Sequence, residues 1–227
     1  MGERMAMWTE YRVTMKFTEN LMGGVPKSPD LIADWLNARK ATEPEFEKRK
    51  VQADMVGEVL ETIDELVEAA TETIGSAEEM RAWTGFQQDD LGLFVRADHV
   101  KAHLKDCANV LRGYLDLKAL RSKVADRVYP FPKRIRLERD GAVLTAPDGF
   151  WEHPVHVITP QGRRSALKRT DYVEGVTIVV EPLKVLADKM ITLPLLQQML
   201  EYGGIHGFGA ERGLGYGQYE AEIEQLS

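Results

Sequence analysis

In "EYRVTMKFTE", Tyr11, Val13, Met15 and Phe17 alternate with polar residues. That period of two predicts a strand with one buried face. The Gly/Pro loop "LMGGVPKSPD" follows, with Ser28 or Asp30 placed to cap a short helix over "LIADWLNARK". The plainest helical periodicity runs from Met55 to Ile74, where Val56, Val59, Leu60, Ile63, Leu66, Val67 and Ala70 recur between acids. Its apolar stripe requires a partner, either the core or a neighbouring subunit. "LGLFVRADHVKAHLKDCANVLRGYLDL" reads as a strand that becomes a helix. Val100, Leu104, Cys107, Ala108 and Leu111 fall on the inner face of that helix, and Lys101, Lys105 and Arg112 on another. "VYPFPKRIRLERDG" has two prolines and then Ile135 and Leu137 alternating with Arg134 and Arg136, a strand with one basic face. A hairpin turning at Pro160–Gly162, a strand in "GVTIVVEPL", a helix in "LPLLQQMLEYGG" ending at a glycine C-cap, and a last strand in "GYGQYEAEI" complete the reading.

This order predicts a mixed α+β chain with a ferredoxin-like, RRM-like core carrying helical and β insertions. Residues 1–227 are read as one domain, with an acidic helical insertion at 41–90. The hydrophobic and charged fractions, 44% and 29%, are those of a globular chain rather than a disordered one. No apolar run approaches the roughly 20 residues that span a bilayer, and "MGERMAMWTEYRVTMKF" lacks the layout of a signal peptide. One cysteine, Cys107, excludes an internal disulfide and a multi-cysteine zinc site. A cytoplasmic protein with no membrane partner and no metal is expected.

Charge changes the picture. The net value of −7 is unevenly spread: Glu43–Asp90 holds fourteen acids and four bases, whereas Arg96–Arg139 holds twelve bases and five acids. The second stretch includes Arg96, Lys101, Lys105, Arg112, Lys133, Arg134 and Arg136, and another basic cluster follows at Arg163, Arg164, Lys168 and Arg169. Screening confines each charge to roughly 8–10 Å in physiological salt, so local fields, not the total, steer a ligand. An acidic chain with one basic face therefore remains a candidate for nucleic acid. Tyr129, Phe131 and Phe208 lie near basic stretches and are candidates to stack bases.

Seven glycines and Arg212 crowd "GGIHGFGAERGLGYGQYEAEI". The Rossmann fingerprint needs a strand before its glycines and a helix after them; here the order is reversed. The Walker Gly-Lys-Ser/Thr is absent, so no nucleotide cofactor is expected. A helix-to-strand loop with Gly207, Gly209, Gly213 and Gly215 around Arg212 exposes successive amides to an anionic backbone, and the arginine adds a charge-assisted fork. The plainer reading is that these glycines only shape a tight turn and a bulge.

A "GxGxxRGxGxG" loop after a helix and before the last strand resembles the signature of the RAMP superfamily, the RRM-like RNA-binding proteins of CRISPR systems. "RADHVKAHLKDCANVLRGY" is similar to that family's "SSLKGALR" element. Lys101 matches its lysine and Lys105 its last basic residue, while Asp98 and His99 stand in place of the serines and Ala102 in place of the glycine. The layout is also similar to phage-encoded proteins of this general type. The resemblance implies a non-catalytic subunit that binds RNA or single-stranded nucleic acid and associates with itself or with other RAMP-like subunits in antiviral defence. The same superfamily includes metal-independent endoribonucleases in which a histidine drives attack by a 2′-hydroxyl; here the candidates are His206, His99 and His103. His99 and His103 have the spacing of zinc ligands, but "HVKAH" lacks the glutamate of the metalloprotease motif. His153 and His156 form a weaker pair in "HPVH". A phage-related structural or assembly protein is the third class.

Overall fold

The computed structural model of the chain describes residues 6–27, 83–159 and 162–226, without the side chains of 155–166. From the N-terminus come β1 (Trp8–Phe17), β2 (Leu21–Met22), β3 (Val25–Pro26), β4 (Trp83–Gly85), β5 (Gln87–Asp89) and β6 (Gly92–Arg96). Helices α1 (Ala97–Tyr114) and α2 (Leu120–Arg127) precede β7 (Val128–Pro130), β8 (Arg134–Arg136), β9 (Glu138–Arg139) and β10 (Ala142–Val143). Two long strands, β11 (Gly149–Thr159) and β12 (Gly162–Val173), lead to β13 (Thr177–Leu186) and α3 (Leu193–His206). A 3₁₀ turn at Arg212–Leu214 and β14 (Tyr219–Gln225) close the chain. The protein is mixed α+β, with three helices among the described residues and mostly antiparallel pairing. Among those residues no helix is long and apolar enough to cross a membrane.

The described chain divides into two compact units, one of residues up to Gly24, Phe86–Gly149 and Asp171 onward, the other of Val25–Gly85 and Phe150–Thr170. In the first, β1 lies between β13 and β14 and is antiparallel to both. On its far side β13 pairs antiparallel with β7 and β9. The alternation in β1 is the cause of its packing. Tyr11, Val13, Met15 and Phe17 are buried, and Arg12 and Lys16 between them are exposed. Val100, Leu104, Cys107 and Ala108 of α1 and Leu195, Leu196, Met199 and Leu200 of α3 join the same core. Each side chain as fully buried as Leu104 or Leu196 contributes about 1.5–3 kcal/mol relative to exposure. A smaller antiparallel sheet, β5–β6–β8, adjoins the start of α1.

In the second unit β12 runs parallel to β4, with Arg169 opposite Trp83, and β3 pairs antiparallel with β4. The Arg169 guanidinium lies 4.5 Å over the Trp83 ring and 3.7 Å over Phe150.

The strand at 11–17, the strand-to-helix passage at 92–114, and the later strands stand where the periodicities put them. The two arms of the expected hairpin are β11 and β12; its turn residues 160–161 lie outside the described residues. The helices over 31–40 and 55–74 and their cap at Ser28 or Asp30 lie outside them as well. Of the 41–90 segment read as a helical insertion, the described part, 83–90, forms strands β4 and β5.

One expectation is corrected. The helix of "LPLLQQMLEYGG" does end at a glycine C-cap, but the cap is Gly207, because the helix runs through Gly203 and Gly204 to His206. Those glycines serve packing rather than capping: a Cβ at Gly203 would collide with the Tyr219 hydroxyl and the His103 ring. Gly217 is tied differently, at φ +71° with its Cβ position overlapping the Phe208 carbonyl oxygen. Gly213 has open space around it. Gly217→Ala is expected to lower unfolding free energy by about 2 kcal/mol or more, from both strain and clash. Gly213→Ala is expected to stay within about 0.5 kcal/mol of the parent in urea denaturation.

Candidate nucleic-acid interface

Because β6 passes directly into α1, and the Ala97 amide donates to the Lys133 carbonyl at 3.0 Å, the segment 131–134 is held beside the helix start. Between them opens a cleft of about 590 Å³. Arg96, Lys101, Lys133 and Arg134 supply its cations, and Phe94, Tyr129 and Phe131 its rings. Four of the basic residues singled out by charge, and two of the three candidate aromatics, therefore share one wall-lined space. Tyr129 is 37% and Phe131 40% exposed. Phe208, the third, is buried at 4%, tilted against Phe17 and edge-on to His103. It is a core residue, because the loop that carries it folds back under α3.

Charge in the cleft is organised by carboxylates. Arg96 and Arg134 sit opposite each other across the β6–β8 ladder, a like-charge pairing that ordinarily destabilises a sheet. Each is held by its own acid: Arg96 by Asp98 at 2.6 Å and Arg134 by Asp89 at 2.6 Å. Asp89 also accepts two hydrogen bonds from Arg136, at 2.6 and 3.0 Å. Those arginines hold its carboxyl well below the usual carboxylate range. Arg136 is thus turned toward Asp89 and Phe94 rather than into the cleft. Lys101 lies 3.9 Å over the Tyr129 ring, and burial, followed by the neighbouring Lys105, pushes its ammonium below the ordinary lysine value. Lys133 is exposed and makes no ion pair among the described residues. Helix α1 starts with no capping side chain, so its positive end adds to the same potential.

The glycine loop has a structural base and an exposed tip. Amides of Gly207, Phe208, Ala210, Leu214, Gly215 and Gly217 are taken by the carbonyls of Gly203, Gly217, Met22, Glu211, Arg212 and Asn20, so the loop does not present the run of bare amides expected of it. Gly207 is buried, and a Cβ at Gly209 would press on the Met22 carbonyl. Gly213 and Gly215 are exposed. Arg212 lies 3.7 Å from Asp106 of α1, too far for a hydrogen bond. Such a half-exposed pair is worth about 0–1 kcal/mol and releases readily to a competing anion. Lys105 is half-buried and Arg112 exposed on the same helix as Asp106.

The histidines separate. His103 is buried, 2.8 Å from the Tyr219 hydroxyl and 3.9 Å from the Cys107 sulfur. Burial, with Arg212 and His206 nearby, pushes its pKa down to about 3. A ring so enclosed and so weakly basic is a core residue, not a general acid or base. His99 is exposed, and His206 is exposed and stacks on Tyr202 with ring centroids 5.5 Å apart. Lys168 and Arg169 belong to the second unit, where Arg169 is sandwiched between rings; the side chains of Arg163, Arg164 and His156 lie outside the described residues. His153 stacks on Trp151 at 3.9 Å.

No protein-family model matches the chain, and no curated protein matches it either.

The geometry therefore carries the argument. The outer face of the central sheet is the alternative surface, and its composition disfavours a polyanion. Glu10, Glu181, Glu220, Glu222 and Glu224 outnumber Arg12, Lys16 and Lys184 there, and the three bases are paired, to Glu181 at 2.6 Å, Glu222 at 2.9 Å and Glu10 at 2.8 Å. At one end of the same face Trp8 packs edge-on against Tyr129, with ring centroids 5.5 Å apart. Sequence reasoning missed Asp89 and Gln87, because "QQDD" reads as the end of the acidic tract. It also missed Phe94, a strand residue whose neighbours across the ladder no spacing reveals.

The His103 environment sets a pH dependence. Its folded pKa is below the ordinary imidazole value, so protonation favours the unfolded chain. The associated stability is complete above pH about 6.5 and is lost as pH falls toward 3. Urea midpoints of the parent are expected to drop across that window, and His103→Gln to flatten the drop.

Proposed function

We propose that this chain is a non-catalytic subunit that binds RNA or another single-stranded nucleic acid, of the RAMP type and built on a ferredoxin-like core. The connectivity supports the core. Within the first unit α1 intervenes between β1 and β7, and α3 between β13 and β14, giving the order β7–β13–β1–β14 of a split βαβ pair. The observation that carries the function is the cleft, where four cations meet exposed rings at the start of a helix. Arg96 and Arg134 face each other there, each already held by a carboxylate, and Lys133 is an exposed cation with no ion pair among the described residues. From the cleft the strand tracks over α1 past Lys105 toward Arg212 and the exposed tip of the glycine loop. The burial of His103 weighs against the nuclease reading, which loses its helix-face histidine pair.

Binding of a labelled single-stranded RNA, followed by fluorescence anisotropy over a salt series, tests this reading. Affinity is expected to fall log-linearly with salt, and Lys133→Ala to reduce the slope by about 0.7, the share of one phosphate contact on a single strand. Arg212→Ala is expected to weaken binding while leaving thermal unfolding unchanged. Salt-independent binding, or affinity unmoved by both substitutions, refutes it.

A further inference from the structure

We propose that the outer edge of β14 docks an extended segment of a partner protein, in which basic residues alternate with apolar ones, as a further strand of the central sheet. The partner is a protein, and the inference stands apart from the nucleic-acid reading above.

The ladder decides which backbone groups are available. β14 pairs with β1 from Tyr219 to Gln225 without a shift of register, and with no other strand among the described residues. The Thr18 amide donates to the Gln218 carbonyl at 3.0 Å, and the Leu226 amide to the Glu10 carbonyl at 2.8 Å. Bonded and non-bonded pairs alternate along an antiparallel ladder. The backbones of Glu220, Glu222 and Glu224 therefore also face β1, and those of Tyr219, Ala221, Ile223 and Gln225 face away from it. Gly204 of α3 lies against the Tyr219 carbonyl. Beyond it, Ala221, Ile223 and Gln225 present amides and carbonyls with no backbone partner among the described residues.

Such an edge is ordinarily guarded by a bulge, a proline, a lysine or a charge aimed at the core. β14, "YEAEIEQ", has none of these. Tyr219 is buried, Ala221 and Ile223 are half-buried against the core, and Glu220, Glu222 and Glu224 are exposed on the other face.

Charge selects the occupant. The register places Lys16 opposite Glu220 and Arg12 opposite Glu224, yet Lys16 bonds Glu222 at 2.9 Å and Arg12 bonds Glu181 at 2.6 Å. Glu220 and Glu224 thus keep no ion pair among the described residues. A second β14 laid antiparallel along this edge would set glutamates against glutamates, which destabilises a sheet; a copy of this chain is therefore not the occupant. A strand with lysine or arginine at the outward positions meets opposite charge, and its apolar positions cover Ala221 and Ile223. Main-chain hydrogen bonds supply the affinity and the alternating side chains the specificity.

The probes are a fluorescent peptide of alternating valine and lysine long enough to span β14, the same peptide with glutamate for lysine, and the lysine peptide with its backbone amides N-methylated. The lysine peptide is expected to bind at least about tenfold tighter than the glutamate peptide, the share of two exposed ion pairs. It is expected to slow hydrogen exchange at the Ala221, Ile223 and Gln225 amides, and the N-methylated peptide to do neither. Glu220→Gln combined with Glu224→Gln, both at exposed positions, is expected to remove the preference for lysine. An N-methylated peptide that binds as well as its parent, or slow exchange at these amides in the peptide-free protein, overturns the proposal. Protection that rises with protein concentration instead assigns the edge to a second copy and overturns it too.

Discussion

Strand β1 lies between β13 and β14 and sends every second side chain, Tyr11, Val13, Met15 and Phe17, into one interior. Helices α1 and α3 must cover that face, and they can do so only at close range. Gly203 permits the approach: with no side chain of its own, it lets α3 lie against His103, Cys107 and Tyr219. Three consequences follow from this one contact. His103 is driven into the core and kept neutral, the loop after α3 is turned back so that Phe208 is buried, and Arg212 is brought to Asp106 on α1.

At the other end of α1 the arrangement is governed by charge rather than by close packing. Arg96 opposite Arg134 is a pairing that a sheet selected only for stability would avoid. Asp98 and Asp89 each hold one of the two guanidinium groups, while Lys133 makes no ion pair among the described residues. The cleft is thus preorganised for an anion, with rings placed alongside. The outer face of the main sheet carries more acids than bases, and its bases Arg12 and Lys16 are paired to Glu181 and Glu222.

Much of this was legible from local pattern. The alternation of residues 11–17 and the switch at Arg96 from a strand to a helix with lysines on one face follow from side-chain period alone. The basic stretch was legible as composition, and Tyr129 and Phe131 as aromatics embedded in it. The glycine loop was legible as unusual, but not how its glycines divide: Gly203, Gly204, Gly207, Gly209 and Gly217 answer to neighbours that are distant in sequence, whereas Gly213 stands in open space. His99 and His103 looked equivalent on a helix, four residues apart; a partner 116 residues away, Tyr219, sets His103 apart.

The amino-acid order by itself determined the type of the strongly periodic elements, β1, α1, β13 and α3, and the side of each that faces inward, because periodicity acts between near neighbours. It also determined where positive charge is concentrated. Tertiary structure alone decided that Arg136 turns to Asp89, that Phe208 is core while Phe131 is open, and that four cations and three rings converge on one cleft. Those outcomes depend on contacts between residues far apart in the chain, whose strength is set by burial and distance, and neither quantity exists until the sheet and helices have packed.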